Sequence, residues 1–214
     1  MKKNDNRNYK FAIKSESHRD EYAIIIKLIK KKSSVLDLGA GDGSLLKQLV
    51  AKKHIHASGI EITLSGILSA KTKGINLKQG KIDLALPYKD KQFDYAICNV
   101  TLQMVMYPEI LLTEMHRISK YQIVTFPNFA FVLNRLELLL KGRMPKTMIP
   151  GYDWYSTGHI HQLSIHDFQE FCRTNKIKVI QEEHIFPDSL FGSTKVVLKK
   201  YPNLFASTAI FLTK

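Results

Sequence analysis

The residues that could do chemistry cluster in one short stretch, a glycine-rich turn bounded by two acids. The turn itself carries Gly39, Gly41 and Gly43. Asp37 precedes it, and Glu61 follows at the end of the next strand-like run. Three closely spaced glycines let the backbone turn tightly and approach a ligand. A carboxylate at position 37 suits a ligand with a cationic amino-acid end, and one at position 61 could accept both hydroxyls of a ribose.

The spacing of the glycines argues against a dinucleotide site. The dinucleotide fingerprint is G-x-G-x-x-G, with an acid roughly 20 residues further on. Counted from Gly39, its third glycine would fall on Ser44, and Gly43 comes one residue early. The negative charge of Asp37 would also disfavour a pyrophosphate. A turn whose glycines serve only the connection between a strand and a helix remains an alternative at this point.

The pattern D-x-G-x-G-x-G followed by G-I-E resembles the S-adenosylmethionine site of class I methyltransferases. The resemblance implies that S-adenosylmethionine or S-adenosylhomocysteine is bound by the turn and by the ends of the neighbouring strands. It also implies an adenine contact at Asp83, which could instead cap a loop. The cofactor-binding residues predicted in this way are Asp37, Gly39, Ala40, Gly41, Glu61, Ile62, Lys81, Ile82, Asp83, Asn99 and Thr101.

The elements that must position these residues alternate between strand and helix patterns. Short apolar runs predict buried parallel strands, and apolar residues three and four positions apart predict helices. The expected strands are 35–38, 55–61, 75–79, 93–98, 122–126, 177–180 and 204–212. The expected helices are 18–32, 45–50, 64–74, 108–119, 129–140 and one that begins after an N-cap at Ser164. We therefore predict an α/β fold, a Rossmann-like class I methyltransferase three-layer sandwich with a seven-stranded, mostly parallel sheet and an antiparallel last strand.

Length and composition fit one domain in a reducing compartment. The chain has 214 residues, of which 44 % are hydrophobic, which suffices for one core. We expect 1–17 to be a flexible segment and 18–214 to be one methyltransferase-like domain with an aromatic loop insertion at about 142–163. The N-terminus lacks the apolar core of a signal peptide, and no run reaches the roughly 18 apolar residues of a membrane span. Because Cys98 and Cys172 suggest buried thiols and not a disulfide framework, we predict a cytoplasmic protein.

The net charge of +13 is the one sign of a nucleic-acid partner. The lysines are scattered, however, and no aromatic residues interleave with a basic stripe as base stacking would require. Charge alone indicates non-specific attraction. We therefore do not predict a dedicated nucleic-acid surface.

The stretch 143–161 is too long and too aromatic for a plain connection, and such loops usually carry function. Its histidine at position 161 is the candidate catalytic base, because an unperturbed imidazole titrates near neutrality. A histidine hydrogen-bonded inside the loop is the alternative. The arginine could pair with a carboxylate ligand or anchor the loop, and the aromatic residues could line an acceptor pocket, face a partner or pack within the loop. The candidate substrate or partner contacts are Arg143, Tyr152, Trp154, Tyr155 and His161.

A metal site is not predicted. His159, His161 and His166 lie close together in the sequence, but no cysteine or carboxylate stands beside them at ligand spacing.

Segments outside the glycine turn narrow the resemblance to one family. Together with the turn they resemble the methionine biosynthesis protein MetW over nearly the whole chain, and three of them, F-P-N-F, G-R-M-P and W-Y…I-H, are not general methyltransferase features. The segments are Gly59–Ile62, Thr101–Gln103, Phe126–Phe129, Gly142–Pro145 and 154–161. The chain departs from the family at Ala40, where Cys is usual, at Lys81, where Asp is usual, and at His159, where Asn is usual.

This resemblance implies a role in methionine biosynthesis beside a homoserine O-acyltransferase, whose activity the family supports. Three functions stay open: an S-adenosylmethionine-binding accessory protein, a small-molecule methyltransferase with its own methyl acceptor, and, on charge alone, an RNA methyltransferase. The first predicts cofactor binding without turnover and the second predicts turnover. The third predicts an RNA affinity that falls steeply with salt.

Overall fold

The computed structural model describes residue 11, residues 19–145, residue 154, residues 158–187 and residues 200–214. The helices are α1 (Asp20–Leu28), α2 (Ser44–Lys53), α3 (Leu64–Thr72), α4 (Pro108–Ile118), α5 (Val132–Lys141), α6 (Ile165–Thr174) and α7 (Pro202–Phe205), with a 3₁₀ turn at Leu102–Met104. The strands are β1 (Ser34–Leu38), β2 (His56–Glu61), β3 (Lys78–Gln79), β4 (Phe93–Asn99), β5 (Ser119–Pro127), β6 (Val179–Ile185) and β7 (Thr208–Thr213). In this part of the chain, no helix combines the length and apolarity needed to cross a membrane.

The described strands form a seven-stranded sheet in the order β3-β2-β1-β4-β5-β7-β6. The pairs from β3 to β5 are parallel, and β7 runs antiparallel to both of its neighbours. The expected mostly parallel sheet with an antiparallel last strand is therefore confirmed. The chain moves outward from β1 to β3 and then returns to place β4 on the other side of β1. This reversal opens a crevice at the carboxyl ends of β1 and β4, where ligands bind in open α/β sheets.

The alternation of side chains along the strands builds a core on each face of the sheet. Val35 and Ile97 point to the face that α1 and α2 cover. Leu36 and Cys98 point to the opposite face, which α4 and α6 cover. Asp37 shares the parity of Val35, so it lies on the α1 side. Because Asp37 lies on this side of the sheet, α1 is the helix that completes the site around it.

Three strands differ from the expected ranges, each for a local reason. The third strand is only Lys78–Gln79, because the amide of Ile75 instead donates to Ala70 at the end of α3. The sixth begins at Val179 and runs through Gln181–His184, a polar edge stretch that apolar patterning could not mark as strand. The last starts at Thr208, since the apolar residues before it belong to α7, which Pro202 begins.

The F-P-N-F segment ties the end of β5 to distant parts of the chain through Asn128. This residue is fully buried, and its side-chain amide donates to the carbonyls of Asn203 and Ala206 at 3.0 and 2.9 Å. Its Oδ1 accepts from the amides of Ala130 and Ile165. The helix expected from residue 129 consequently starts only at Val132. The N-cap expected at Ser164 is confirmed, with Asp167 completing a capping box.

A buried ion pair fixes the glycine turn to α3. The Nζ of Lys73 lies 2.9 Å from Oδ2 of Asp42, and the two side chains are only 5 % and 3 % exposed. The same Nζ also donates to the backbone carbonyl of Asp42 and to Ser69 Oγ, at 2.9 and 3.1 Å. The pairing holds the pKa of Asp42 below its usual value against the opposing effect of burial. Loss of one partner would leave a buried charge uncompensated.

We expect Lys73→Met, which keeps most of the side-chain stem, to lower the free energy of unfolding by about 3–5 kcal/mol, as for other broken buried pairs. Urea unfolding measures it. Lys71→Met is the matched control, because Lys71 is exposed on the same helix and its loss should stay within about 0.5 kcal/mol. Equal effects of the two substitutions would contradict a structural role for the pair.

Candidate functional site

A cavity of about 370 Å³ opens at the carboxyl ends of the central strands. Its wall includes every residue that the sequence predicted to bind a cofactor: Asp37, Gly39, Ala40, Gly41, Glu61, Ile62, Lys81, Ile82, Asp83, Asn99 and Thr101. These residues come from four segments of the chain, which the switch in strand order brings together. The cavity is therefore the candidate functional site.

The glycine turn owes its shape to positions where a side chain could not fit. Gly39 has φ +85°, and a Cβ there would lie 2.5 Å from the Thr101 side chain. Gly43, with φ +73°, is the N-cap of α2, and a Cβ there would approach Ala70 to 2.8 Å. Both backbones are in the left-handed region that glycine alone adopts without strain. The turn can thus pass directly under the cavity and aim the first turn of α2 at it.

Glu61 clamps the turn to the end of β2. Its Oε2 accepts from the amide of Gly41 at 2.8 Å, and its Oε1 accepts from both the amide and the hydroxyl of Thr63, also at 2.8 Å. A carboxylate offers about four acceptor positions. Three are used here, so Glu61 can accept one further hydrogen bond without giving up another. The sequence-based expectation that it takes both ribose hydroxyls would require one of these three bonds to move.

Unlike Glu61, Asp37 accepts no side-chain hydrogen bond from the described residues. It is 2 % exposed, and its Oδ1 is buried without a partner. Burial is the main cause that raises its pKa to about 7, and the negative charge of Glu61 raises it further. An isolated buried carboxylate is costly, and a cation in the cavity would offset that cost. Asp37 therefore fits the cationic amino-acid end predicted from the sequence.

The side of the cavity after β3 carries a second buried acid. Asp83 is 7 % exposed, and its Oδ2 accepts from the amide of Met106 at 2.8 Å. Its Oδ1 has no hydrogen-bond partner in the described part of the chain, so it can accept from a ligand. Ile82 beside it is buried and offers an apolar surface to a flat ring, while Lys81 is exposed. The adenine contact and the loop cap considered for Asp83 are thus compatible.

Asn99 and Thr101 line the cavity with side chains already engaged by the scaffold. The amide of Asn99 donates to Glu21 on α1 at 3.2 Å, and its Oδ1 accepts from Thr125. The hydroxyl of Thr101 donates to the carbonyl of Asn99 at 2.9 Å. These residues shape the floor of the cavity and join α1 to β4.

The loop histidine that reaches the cavity is His159 and not His161. The amides of Ile160 and His161 both donate to the carbonyl of Gln103, at 2.9 and 3.1 Å, which fixes the loop beside the 3₁₀ turn. The His161 ring then lies outside the cavity wall, with Nε2 3.4 Å from the carbonyl of Met106. His159 lines the cavity, and burial, aided by the positive charge of Arg19, lowers its pKa. Its ring is therefore neutral at neutral pH.

The remaining predicted loop residues do not meet the cavity where they are described. Arg143 and Trp154 are exposed, and neither belongs to its wall. Tyr152 and Tyr155 lie outside the described residues. Within the described part, no three His, Cys, Asp or Glu side chains form a group that could hold a metal ion.

Sequence reasoning missed three wall residues from the N-terminal part, namely Phe11, Arg19 and Tyr22. The ring of Phe11 lies close to Gly41, Arg19 is the N-cap residue of α1, and Tyr22 is in the first turn of α1. Periodicity marked α1 only as a helix that covers the sheet. Nothing in the sequence distinguishes its polar first turn from an ordinary solvated helix end.

Comparison with known proteins gives the family. The model of the family described as "methionine biosynthesis protein MetW" matches residues 19–213. The bifunctional methionine biosynthesis protein MetXA/MetW of Rhodopirellula baltica is 33 % identical over 198 residues, which cover 87 % of this chain. The match covers only 31 % of that relative, so the chain spans about a third of its length.

Solved structures with the same fold are S-adenosylmethionine-dependent methyltransferases and relatives. A methyltransferase of Methanosarcina mazei superposes with a TM-score of 0.63 at 20 % identity, covering 91 % of this chain and 98 % of that one. One from Thermotoga maritima gives 0.62 at 19 %, covering 91 % and 87 %. The YcgJ protein of Bacillus subtilis gives 0.60 at 18 %, covering 92 % and 97 %. At these identities the likeness shows the Rossmann-like methyltransferase fold.

The raised pKa of Asp37 predicts how stability depends on pH without ligand. In the folded protein the pKa of this carboxyl is about 7, whereas its ordinary value is 3.8, so folding becomes less favourable as the pH rises between these values. Asp37→Asn keeps the shape and removes the charge. We expect it to raise the free energy of unfolding clearly at pH 8 and only slightly at pH 5, measured by urea unfolding.

Asp94→Asn serves as a control of opposite sign. Hydrogen bonds from Ser34 and pairing with Lys120 hold the pKa of Asp94 below its usual value, so its charge stabilises the fold above that range. Its replacement should lower stability at both pH values. A gain from Asp37→Asn that is the same at pH 5 and pH 8 would contradict the account of Asp37.

Proposed function

Because the chain belongs to the MetW family of methionine biosynthesis, we propose that it binds S-adenosylmethionine in the cavity and supports a homoserine O-acyltransferase. The observation that carries the proposal is the relative from Rhodopirellula baltica, whose name joins MetXA and MetW in one protein. As part of the same proposal, the protein acts in the cytoplasm. S-adenosylmethionine, which is made from methionine, would then report the output of the pathway to one of its early enzymes.

The chemistry of the cavity supports the cofactor half of the proposal. Asp37 would neutralise the ligand's ammonium group, which repays the cost of a buried carboxylate. Glu61 would accept one ribose hydroxyl at its remaining position, and Asp83 Oδ1 would accept from the adenine amino group beside Ile82. S-adenosylmethionine itself supplies an activated methyl group on sulfur. The accessory function needs only its binding.

The relative from Rhodopirellula baltica supports the proposed interaction with the acyltransferase on physical grounds. Two modules in one chain meet at a high effective concentration, so a weak interface suffices. We propose that this chain contacts the acyltransferase through an exposed apolar surface. On α5, Leu136, Leu139 and Leu140 share one face and are 42 %, 78 % and 76 % exposed. A contiguous exposed apolar patch of this kind is typical of a protein-binding surface.

The first test is an acyl-transfer assay with the homoserine O-acyltransferase of the same organism. We expect this protein to raise the rate of acyl transfer, and saturating S-adenosylmethionine to change that effect. A ligand shifts an equilibrium only through different affinities for the two states, so the cofactor should also change the affinity between the two proteins. A rate that does not respond to the added protein would refute the partner half.

The α5 face gives a second test of the same partner. We expect Leu139→Glu with Leu140→Glu to abolish stimulation of the acyltransferase while S-adenosylhomocysteine still binds, because the leucines lie outside the cavity wall. Leu64→Glu with Leu68→Glu is the control, since these leucines on α3 are 60 % and 47 % exposed and the pair undergoes the same change in charge. Pull-down and the stimulated rate give the readouts. If the α5 variant stimulates as well as the wild type, the partner binds elsewhere.

A small-molecule methyltransferase is the second candidate, and His159 is the observation that favours it. Its neutral ring lies in the cavity wall, where it could take a proton from a methyl acceptor. This function predicts that S-adenosylhomocysteine accumulates when the protein is given S-adenosylmethionine and cell extract, and that His159→Gln stops it. The accessory function predicts binding without such turnover.

A further inference from the structure

Three polar side chains in the cavity wall make no hydrogen bond to the described part of the protein. The Asp37 side chain is one of them. The others are Arg19, the N-cap residue of α1, and Tyr22, in the first turn of α1, and both line the same cavity. Buried polar groups are ordinarily satisfied by the protein, so the buried Asp37 and Tyr22 indicate a ligand, and the partly exposed Arg19 lies in the same wall.

Tyr22 lies in the cavity wall together with Arg19 and Asp37. It is 7 % exposed, yet its hydroxyl has no hydrogen-bond partner in the described part of the chain. Burial raises its pKa most, and the charges of Arg19, Asp37 and Asp42 also act on it. The phenol is therefore a protonated donor near both Asp37 and Arg19.

The Arg19 side chain makes no hydrogen bond to the described part of the protein. It precedes α1 as the N-cap residue, but its side chain makes no capping hydrogen bond. Its described ion pair, with Glu21, has an N–O distance of 3.9 Å, which is too long for a hydrogen bond. Arg19 and His159 line the same cavity, and the guanidinium adds to the effect of burial in lowering the pKa of His159. A planar fork of donors in this state is suited to a carboxylate.

We propose that Arg19 and Tyr22 bind the carboxylate of the ligand's amino-acid end, while Asp37 binds its ammonium group. The inference rests on the proposed function, because it takes S-adenosylmethionine as the ligand and adds how its amino-acid end is recognised. The site then selects a complete α-amino acid attached to the nucleoside. Nucleosides that lack the carboxylate are poor ligands even when their adenosine and sulfur are identical.

This selectivity fits a reporter of the methionine supply. Truncated or decarboxylated derivatives of S-adenosylmethionine share its adenosine, so contacts to adenine and ribose cannot separate them from it. The carboxylate is the group that distinguishes them. Donors such as Arg19 and Tyr22 can recognise the carboxylate, whereas Asp37 and Glu61 would repel it.

The test compares two probes that differ only in the carboxylate, S-adenosylmethionine and decarboxylated S-adenosylmethionine, by titration calorimetry. We expect the wild type to bind the first about ten- to a hundredfold more tightly, the range for one or two charge-assisted hydrogen bonds. Arg19→Gln should account for most of this ratio and reduce it severalfold by weakening only the first probe. Tyr22→Phe, which removes only the hydroxyl, should reduce the ratio partly.

Arg173→Gln is the matched control, because Arg173 is an exposed arginine on α6 and its loss changes the net charge equally. It should leave both affinities unchanged, and melting curves establish that each variant is folded. A wild type that binds the two probes equally overturns this inference but leaves the cofactor proposal in place. The same is true if Arg19→Gln weakens both probes alike. If neither probe binds the wild type, the cofactor proposal itself fails.

Discussion

The site is organised around a carboxylate that the protein buries without a hydrogen-bond partner. Asp37 lies at the end of β1 near a second buried acid, Glu61, whose charge disfavours ionisation of Asp37. The glycine turn, the hydrogen bond from Gly41 to Glu61 and the first turn of α1 surround this point. Costly arrangements of this kind cluster at binding sites, where they are part of the mechanism. In the proposed function, a bound cation compensates for the cost that Asp37 imposes on the free protein.

The segments typical of the family have a different task from the segments common to methyltransferase-like folds. The turn and its acids build the cavity. In the F-P-N-F segment, Asn128 instead connects β5, α6 and the chain before β7 through its side-chain hydrogen bonds. The same hydrogen bonds determine where α5 begins, and the exposed leucines of α5 lie away from the core. The fold thus separates the cavity from the exposed apolar face of α5.

Much of this architecture could be predicted from the sequence, because buried strands and the glycine turn follow strong local rules. Every predicted cofactor residue lines the cavity, since strand ends and switch points fix their meeting place. The sequence did not predict the bounds of the strand Val179–Ile185 correctly. This strand is polar and lies at the edge of the sheet, where burial does not produce an apolar pattern in the sequence. Arg19, Tyr22 and His159 could not be predicted, because their roles depend on how α1 and a loop pack over the turn. Neighbouring residues such as His161 look equivalent until the loop is fixed on Gln103.

We propose that the cationic end of a ligand ionises Asp37. The number of protons released on binding measures this ionisation most directly. The protein is titrated with S-adenosylhomocysteine at pH 7 in two buffers of different ionisation enthalpy. Since the pKa of Asp37 is about 7 in the free protein, binding should release about half a proton per ligand, and more at pH 6. The Asp37→Asn variant should release none. Tight binding to the wild type with no proton released at either pH would contradict the account.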